Sequence, residues 1–176
     1  MKARDLFRGY IENQRNFAGE NFHGADLEGF NFQRINFSRS DLSGANLKRT
    51  DLSGTSLYQS NLTDADLSEA CLIGANLAEA NLIGADLSGC DLSGADLTGA
   101  DLRCACLVGA NLSRANLSYA HLDGTDLSQA NLSGAKLFNT DLSVAHTEGI
   151  NQTESDKKTQ EEEIWVYSAK WVTWAG

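Results

Sequence analysis

Leu or Phe recurs at every fifth residue over most of this chain. The row runs from Phe17 to Leu142 without a miss, in pentads such as Ala-Asn-Leu-Ser-Gly and Ala-Asp-Leu-Ser-Glu. We call the Leu or Phe the centre of its pentad. The inner residue lies two before the centre and is mostly Ala. The outer residue lies just before the centre and is mostly Asn or Asp. The corner residue lies two after the centre and is often Gly. A repeat this strict indicates a solenoid.

A period of five fits neither a helix nor a straight strand. On an α-helix successive centres would lie about 140° apart, and on a strand they would alternate between the two faces. The row is buried on one side only if the chain turns once per pentad. Glycines such as Gly44 and Gly74 suit these turns because they reach positive φ without a Cβ penalty. We therefore expect a coil with centres and inner residues inside.

The pattern of Ala, Asp or Asn, Leu, Ser and Gly resembles that of the pentapeptide-repeat proteins, whose strict pentads are abundant in cyanobacterial members. The resemblance covers about three quarters of the chain. It implies an all-β solenoid, a right-handed four-sided β-helix with four pentads per coil. Residues twenty apart then stack. The repeat at 15–146 would form about six and a half coils in a rod about 30 Å long.

Residues 1–14 precede the repeat and predict a short helix. Leu6, Phe7, Tyr10 and Ile11 fall on one helical face. Because the end of a solenoid exposes core and an open ladder edge, we interpret 1–14 as an N-terminal cap. A partner-binding helix is the alternative.

The first coils differ from the later ones. Their centres are mostly Phe, whereas all later centres are Leu, and Arg15 and Glu20 occupy inner positions. We expect the first pentads to be only loosely closed, since long polar side chains cannot fill an apolar core.

After the repeat, residues 147–163 are polar and acidic and read as a flexible linker. Residues 164–176 are rich in aromatic and β-branched side chains and hold all three tryptophans. This segment is predicted to cap the last coil, to self-associate as a homodimer through a solenoid end, or to bind a partner. Its candidate contact residues are Trp165, Tyr167, Trp171 and Trp174.

The net charge of −10 argues against direct nucleic-acid binding, which needs Lys and Arg to neutralise phosphates. The acidic residues concentrate near the column of centres from Leu27 to Leu127. The candidate acidic interaction face comprises Asp26, Asp64, Asp66, Glu69, Asp86, Asp123 and Asp126. The alternative is a structural role, because Asp and Asn side chains also bond to nearby turn backbone.

No catalytic, cofactor or metal site is predicted. Cys71, Cys90, Cys104 and Cys106 are not spaced by twenty, and they fall short of a zinc set. The histidines are isolated, and the repeat has no inserted loop that could carry a site. No apolar run is long enough to cross a membrane. The charged first residues do not resemble a signal peptide, so we expect a cytoplasmic protein without membrane contacts.

The residues favour a non-enzymatic scaffold for an unidentified protein partner. A second hypothesis comes from the resemblance, because some pentapeptide-repeat proteins protect DNA gyrase from quinolones. It implies a DNA mimic, an acidic rod that binds a DNA enzyme such as gyrase by charge complementarity.

Overall fold

The computed structural model describes residues 3–152, and most of them form one continuous coil. Parallel β-bridges join residues twenty apart, from Asn16 with Asn36 to Asn131 with Asn151. Each side of the coil contributes isolated bridges rather than long strands. The predicted solenoid is confirmed, with four pentads in each turn. The ladder continues five residues beyond the boundary expected at 146.

Beyond the first coil, an outer residue makes two backbone hydrogen bonds to the coil before it, because its amide donates to that coil and its carbonyl accepts from the amide of that coil's centre. The Leu47 amide donates to the Asp66 carbonyl at 2.7 Å, and the Asp66 amide donates to the Ala45 carbonyl at 3.0 Å. The chain contains no proline, so every backbone amide can take part in such a ladder.

The corners are tight turns, each closed by a short backbone hydrogen bond. The Ala45 amide donates to the Leu42 carbonyl at 3.0 Å, and Gly44 between them has a φ of 62°. Every corner residue from Gly19 to Gly149 has a positive φ except Val144. Many of these residues are Arg, Gln, Asp or Glu. The turn therefore fixes the backbone conformation without requiring glycine.

The core is a stack of buried centres with small inner residues beside them. All centres from Phe17 to Leu137 are buried. Threonines at inner positions donate to the coil before them. The Thr50 hydroxyl lies 2.8 Å from the Leu27 carbonyl, and the Thr125 hydroxyl lies 2.7 Å from the Leu102 carbonyl. A buried polar atom is tolerated here because it is hydrogen-bonded.

One α-helix precedes the coil. Helix α1, Ala3–Ile11, lies inside the segment predicted to be a cap. Its Leu6 is fully buried in the same cluster as the coil core, and the ring centroids of Phe7 and Phe30 are 5.1 Å apart. The helix therefore packs its apolar face on the first coil.

The expectation that the first pentads are loosely closed is wrong. The Arg15 carbonyl accepts from the Asn36 amide at 2.7 Å, and the Glu20 carbonyl accepts from the Asp41 amide at 3.0 Å. The Arg15 side chain leaves the core, and its guanidinium lies 3.9 Å from the centroid of the Tyr10 ring. Because the polar side chain turns away, the backbone pairs as it does in later coils.

The last described coil contains one irregular corner. A 3-10 helix, Leu142–Val144, replaces the usual turn because a β-branched residue such as Val144 strongly disfavours positive φ. The Gly124 amide donates to the carbonyl of Val144, which is twenty residues later in the chain. At the other corners the corresponding donor and acceptor are nineteen residues apart. The ladder thus slips by one residue at this corner.

Candidate functional site

The predicted acidic residues lie mainly on one side of the coil, which we call side 3. Its centres run from Leu27 to Leu127. Parallel bridges link its outer residues in the order Asp26, Asn46, Asp66, Asp86, Cys106 and Asp126. The four aspartates therefore share one straight row along the rod.

Each outer Asp or Asn has a structural role. From Asn16 to Asp141, every outer Asp or Asn accepts a hydrogen bond at Oδ1 from the amide two residues later. This contact fastens the side chain over the turn that follows. An amide oxygen and a carboxylate oxygen can both accept this hydrogen bond. The turn therefore requires an oxygen but not a charge.

Two carboxylates of this row, Asp66 and Asp126, are held in the ionised form. Burial raises the pKa of Asp66. Hydrogen bonds from the Ser68 hydroxyl and amide, together with the charge of Lys48, outweigh this effect, so the pKa lies below its usual value. The Ser68 hydroxyl is 2.6 Å from Asp66 Oδ1. Hydrogen bonds from the hydroxyl and amide of Ser128 likewise lower the pKa of Asp126. Both side chains are anionic at neutral pH.

Asp and Asn differ in their contacts with the neighbouring coil. The Asn46 amide group donates to Asp26 Oδ1 at 3.0 Å, which links two coils through their side chains. Asp66 and Asp86 are direct neighbours in the ladder, and two carboxylates have no proton to share. Neighbouring rungs lie about 4.8 Å apart, so their like charges repel. Within residues 16–151, no other pair of bridged outer residues consists of two aspartates.

Two corner carboxylates extend this negative region. Asp64 and Glu69 precede and follow the outer residue Asp66, and both have positive φ values, 55° and 59°. The Asp64 carboxylate lies over Gly84 and fills the space that a Cβ there would need. Glu69 Oε1 is 3.7 Å from Lys48 Nζ, a loose and exposed ion pair. We call Asp64, Asp66, Glu69 and Asp86 the acidic patch.

Basic residues are absent from side 3 beyond its second coil. Glu28 forms an ion pair with Arg49 near the start of this side, so the first acidic charges are largely matched. The later pentads of side 3, at 65–69, 85–89, 105–109, 125–129 and 145–149, contain no Lys or Arg. Asp26 therefore sits in the matched part of the row, and Asp86 and Asp126 sit in the unmatched part, whereas Lys48 of the second coil still reaches Glu69 and Asp66.

The structure does not bring Asp123 into the row. Asp123 lies on the preceding side, where it lines a depression of about 400 Å³ together with Asp101, Arg103 and His121. The Arg103 guanidinium is 2.8 and 2.7 Å from the two carboxylate oxygens of Asp101. The hydrogen bonds from Arg103 lower the pKa of Asp101 despite its partial burial. A cation within this group separates Asp123 from the acidic patch.

The remaining candidates are structural or undescribed. The buried Cys90 thiol donates to the Leu67 carbonyl at 2.8 Å, and burial raises its pKa to about 12, so it fills an inner position as Thr does. Within residues 3–152, no group of three or more His, Cys, Asp or Glu side chains could hold a metal ion. None of the helices in that range could cross a bilayer. The candidate residues Trp165, Tyr167, Trp171 and Trp174 lie outside the described residues.

One surface contact was missed by the sequence analysis. Tyr119 and Phe138 pack edge to face with their ring centroids 5.3 Å apart, and Tyr119 is half exposed. Tyr119 is a corner residue, and Phe138 directly follows the centre Leu137 in the next coil. The two are nineteen residues apart, which is also the offset of the ladder hydrogen bonds. That offset could have predicted the pair.

A family model described as pentapeptide repeats matches eight copies in this chain. The matched segments are residues 21–59, 40–77, 60–99, 75–114 and 105–143. They cover most of the coil, including the acidic patch. No curated protein matches the chain.

Several solved structures are similar to the chain. HetL, a pentapeptide repeat protein involved in heterocyst differentiation regulation from the cyanobacterium Nostoc sp. strain PCC 7120, is 28% identical over 86% of this chain and 94% of its own, with a TM-score of 0.39. Rfr23, from the cyanobacterium Cyanothece 51142, is 28% identical over 86% and 95%, with a TM-score of 0.37. QnrB1, a plasmid-mediated fluoroquinolone resistance protein, is 19% identical over 85% and 96%, with a TM-score of 0.30.

Proposed function

Because the chain belongs to the pentapeptide repeat family, we propose that it is a non-enzymatic scaffold that binds a protein partner through the acidic patch. The rod is taken to be the right-handed, four-sided helix of that family, closed at its start by α1. The proposal contains no catalytic step and no cofactor.

The juxtaposition of Asp66 and Asp86 carries this proposal. Their turns need only an acceptor oxygen, which Asn supplies elsewhere in the same row at Asn46. Asn at either site would also give the neighbouring coil a hydrogen-bond donor. Two aspartates in successive rungs therefore forgo that link between coils and place like charges next to each other. The presence of both charges is explained if a ligand forms ion pairs with them.

The acidic patch suits an extended basic surface. Its carboxylates lie on a rod whose coils repeat at about 4.8 Å. The later pentads of side 3 carry no Lys or Arg, and the contact of Lys48 with Glu69 is a loose ion pair that a partner can displace. A partner that presents spaced Lys or Arg side chains would pair with this row. Such complementarity controls specificity and the association rate, and it weakens as salt screens the charges.

A DNA mimic is the second candidate, and the straight acidic row favours it. Asp64, Asp66, Glu69, Asp86 and Asp126 give roughly one carboxylate per 3 Å over about 14 Å of rod. B-DNA carries one negative charge per about 1.7 Å, so the row has about half that linear density. This difference ranks the mimic behind the scaffold.

The test removes charge without removing the turn acceptor. The double variant Asp66→Asn with Asp86→Asn keeps an Oδ1 at both turns and deletes two charges. The matched control, Asp91→Asn with Asp96→Asn, makes the same charge change on two other sides of the rod, where both aspartates also accept from turn amides.

Immobilised wild type and both variants are exposed to an extract of the source cells, and any captured protein is purified for titration at two salt concentrations. We expect the partner to bind wild type and the control, to bind the Asp66/Asp86 variant at least tenfold more weakly, and to bind less at high salt. Equal binding to all three proteins would reject the acidic patch.

The second candidate is tested in parallel by DNA supercoiling with purified gyrase. Salt-sensitive inhibition that the Asp66/Asp86 variant loses and the control retains would establish a mimic. No inhibition at tens of micromolar protein would remove that candidate and leave the scaffold.

A further inference from the structure

The outer end of the last described coil is incompletely covered. Leu142, Ala145 and Ile150 pack against the core but remain partly exposed, and Val144 is 40% exposed. The corresponding centre one coil earlier, Leu122, is 2% exposed. Centres and inner residues are sealed in the middle of the rod, so Leu142, Ala145 and Ile150 form an open surface at this end.

Within residues 3–152, two backbone amides at the same end have no ladder acceptor. In the preceding coil, the amides of Leu117 and Tyr119 donate to the carbonyls of Lys136 and Phe138, both at 2.8 Å. The equivalent amides of the last coil belong to Leu137 and Asn139, and none of residues 3–152 accepts from them. An open edge of this kind favours the addition of a further strand.

We propose that residues 164–174 of the same chain cover this end, as an added extended segment whose aromatic side chains pack on Leu142, Ala145 and Ile150. The segment reads Ile-Trp-Val-Tyr-Ser-Ala-Lys-Trp-Val-Thr-Trp. Its β-branched and aromatic residues favour extended structure, and it contains no proline that would remove a ladder donor.

The length of the chain allows this contact. Eleven residues separate Gln152 from Ile164, and eleven residues can span up to about 36 Å when extended. That reach exceeds the width of a coil in which each side is a single pentad. The segment can therefore approach any of the four sides at the end of the rod.

Tethering favours the chain's own segment over a second copy. A segment that is joined to its site by only eleven residues has an effective concentration in the millimolar range. A second molecule would match this only at millimolar protein. The start of the rod is closed in the same way, by a segment of its own chain, since α1 buries Leu6 against the first coil.

Tryptophan fluorescence tests the proposal in the full chain. All three tryptophans lie in residues 164–174, so their emission reports on this segment alone. Iodide quenching is measured between 1 and 100 µM protein and compared with a free peptide of residues 164–174. We expect quenching of the wild type to be at least threefold weaker than that of the peptide, at every concentration and with a monomer mass by light scattering.

Two matched variants locate the contact. Ile150→Asp places a charge in the open end, and Ile73→Asp makes the same change at an exposed site on the flank of the rod. We expect Ile150→Asp to restore quenching close to that of the peptide and Ile73→Asp to leave it unchanged. If Ile150→Asp loses the circular dichroism of the folded coil, Val172→Asp in the segment replaces it, with the same expected result.

Three outcomes would overturn the proposal. Peptide-like quenching of the wild type would mean that the segment is free. Protection that disappears on dilution together with a halving of the mass would assign the end to a second copy. Protection that survives both Val172→Asp and a folded Ile150→Asp would place the tryptophans against another surface.

Discussion

The two ends of the coil present the same physical problem with different residues. At the start, Leu6 of α1 is fully buried, and large aromatic centres such as Phe22 and Phe37 pack with their rings 5.3 Å apart. At the end, Leu142 and Ile150 remain partly exposed. A pentad specifies how one coil packs on the next, but it provides nothing for the coil that has no neighbour. Closure therefore depends on residues outside the repeat.

The largest expected effect comes from removing the closure at the start. Leu6→Ala deletes a fully buried side chain, and we expect it to lower the free energy of unfolding by about 2–5 kcal/mol. Ile11→Ala on the same helix is the control, because Ile11 is 64% exposed. We expect its effect to stay within about 0.5 kcal/mol. Urea unfolding measures both, and equal midpoints would show that α1 does not seal the coil.

A second substitution compares the middle of the rod with its end. Ala85→Leu adds bulk at a fully buried inner position, and we expect a loss of about 1–3 kcal/mol from overpacking. Ala145→Leu makes the same change three coils later on the same side, where the residue is only half-buried. We expect a smaller loss there, by thermal unfolding. A larger loss at Ala145 would mean that the end is packed as tightly as the middle.

The irregular corner offers a change that should strengthen the end. Val144→Gly permits the positive φ found at the other corners. It should restore the regular ladder register, which is worth about 1 kcal/mol per hydrogen bond. The flexibility of glycine in the unfolded chain offsets roughly 0.5–1 kcal/mol. We expect a small net gain in the midpoint of urea unfolding.

The reciprocal change tests the same corner one coil earlier. Gly124 has a φ of 69°, and Gly124→Val should lower stability because valine strongly disfavours that conformation. If both substitutions moved the midpoint in the same direction, the φ requirement would not explain the 3-10 helix.

The smallest expected effect is a pH dependence shared by both ends. Hydrogen bonds from the hydroxyl and amide of Ser43 lower the pKa of Asp41, and those from Ser143 lower the pKa of Asp141. The pKa of Asp in an unfolded chain is about 3.9. The stabilisation is therefore present above that pH and disappears as the pH falls through the lower folded value.

Unfolding midpoints at pH 7, 4 and 2.5 measure this loss. Asp41→Asn and Asp141→Asn should each flatten the dependence, because the amide keeps the turn contact but does not titrate. A dependence as steep as that of the wild type in both variants would assign the acid sensitivity to other groups.

Much of the fold follows from the sequence because one local rule repeats. The spacing of the centres predicted their burial, and the Phe and Leu rows from Phe17 to Leu137 are indeed buried. The irregular corner could also have been predicted, since Val144 is β-branched at a position that requires positive φ. The closure of the first coil was not predictable from composition, because it depends on the Arg15 side chain turning outward onto Tyr10.

The candidate site was harder to predict, since position in a repeat does not reveal which contacts a side chain makes. The spacing placed Asp66 and Asp86 in one row but left open whether they form a docking face or bond to turn backbone, and the structure shows that both Oδ1 atoms accept from turn amides. It also grouped Asp123 with them, although Asp123 lines a depression on the preceding side together with Arg103 and His121. These distinctions depend on side-chain orientation and on cations contributed by other coils.

The twenty-residue ladder also sets rules for how such a rod can change length. An insertion of four pentads would lengthen the rod and leave each row of outer residues continuous, because partners remain twenty apart. An insertion of a single pentad would preserve the buried centres but rotate everything beyond it by a quarter turn. Surface charges on either side of the insertion would then face different directions. The core therefore tolerates insertions of one pentad, whereas a continuous surface row tolerates only insertions of four. Packing of the core alone would permit rods whose surface rows are broken.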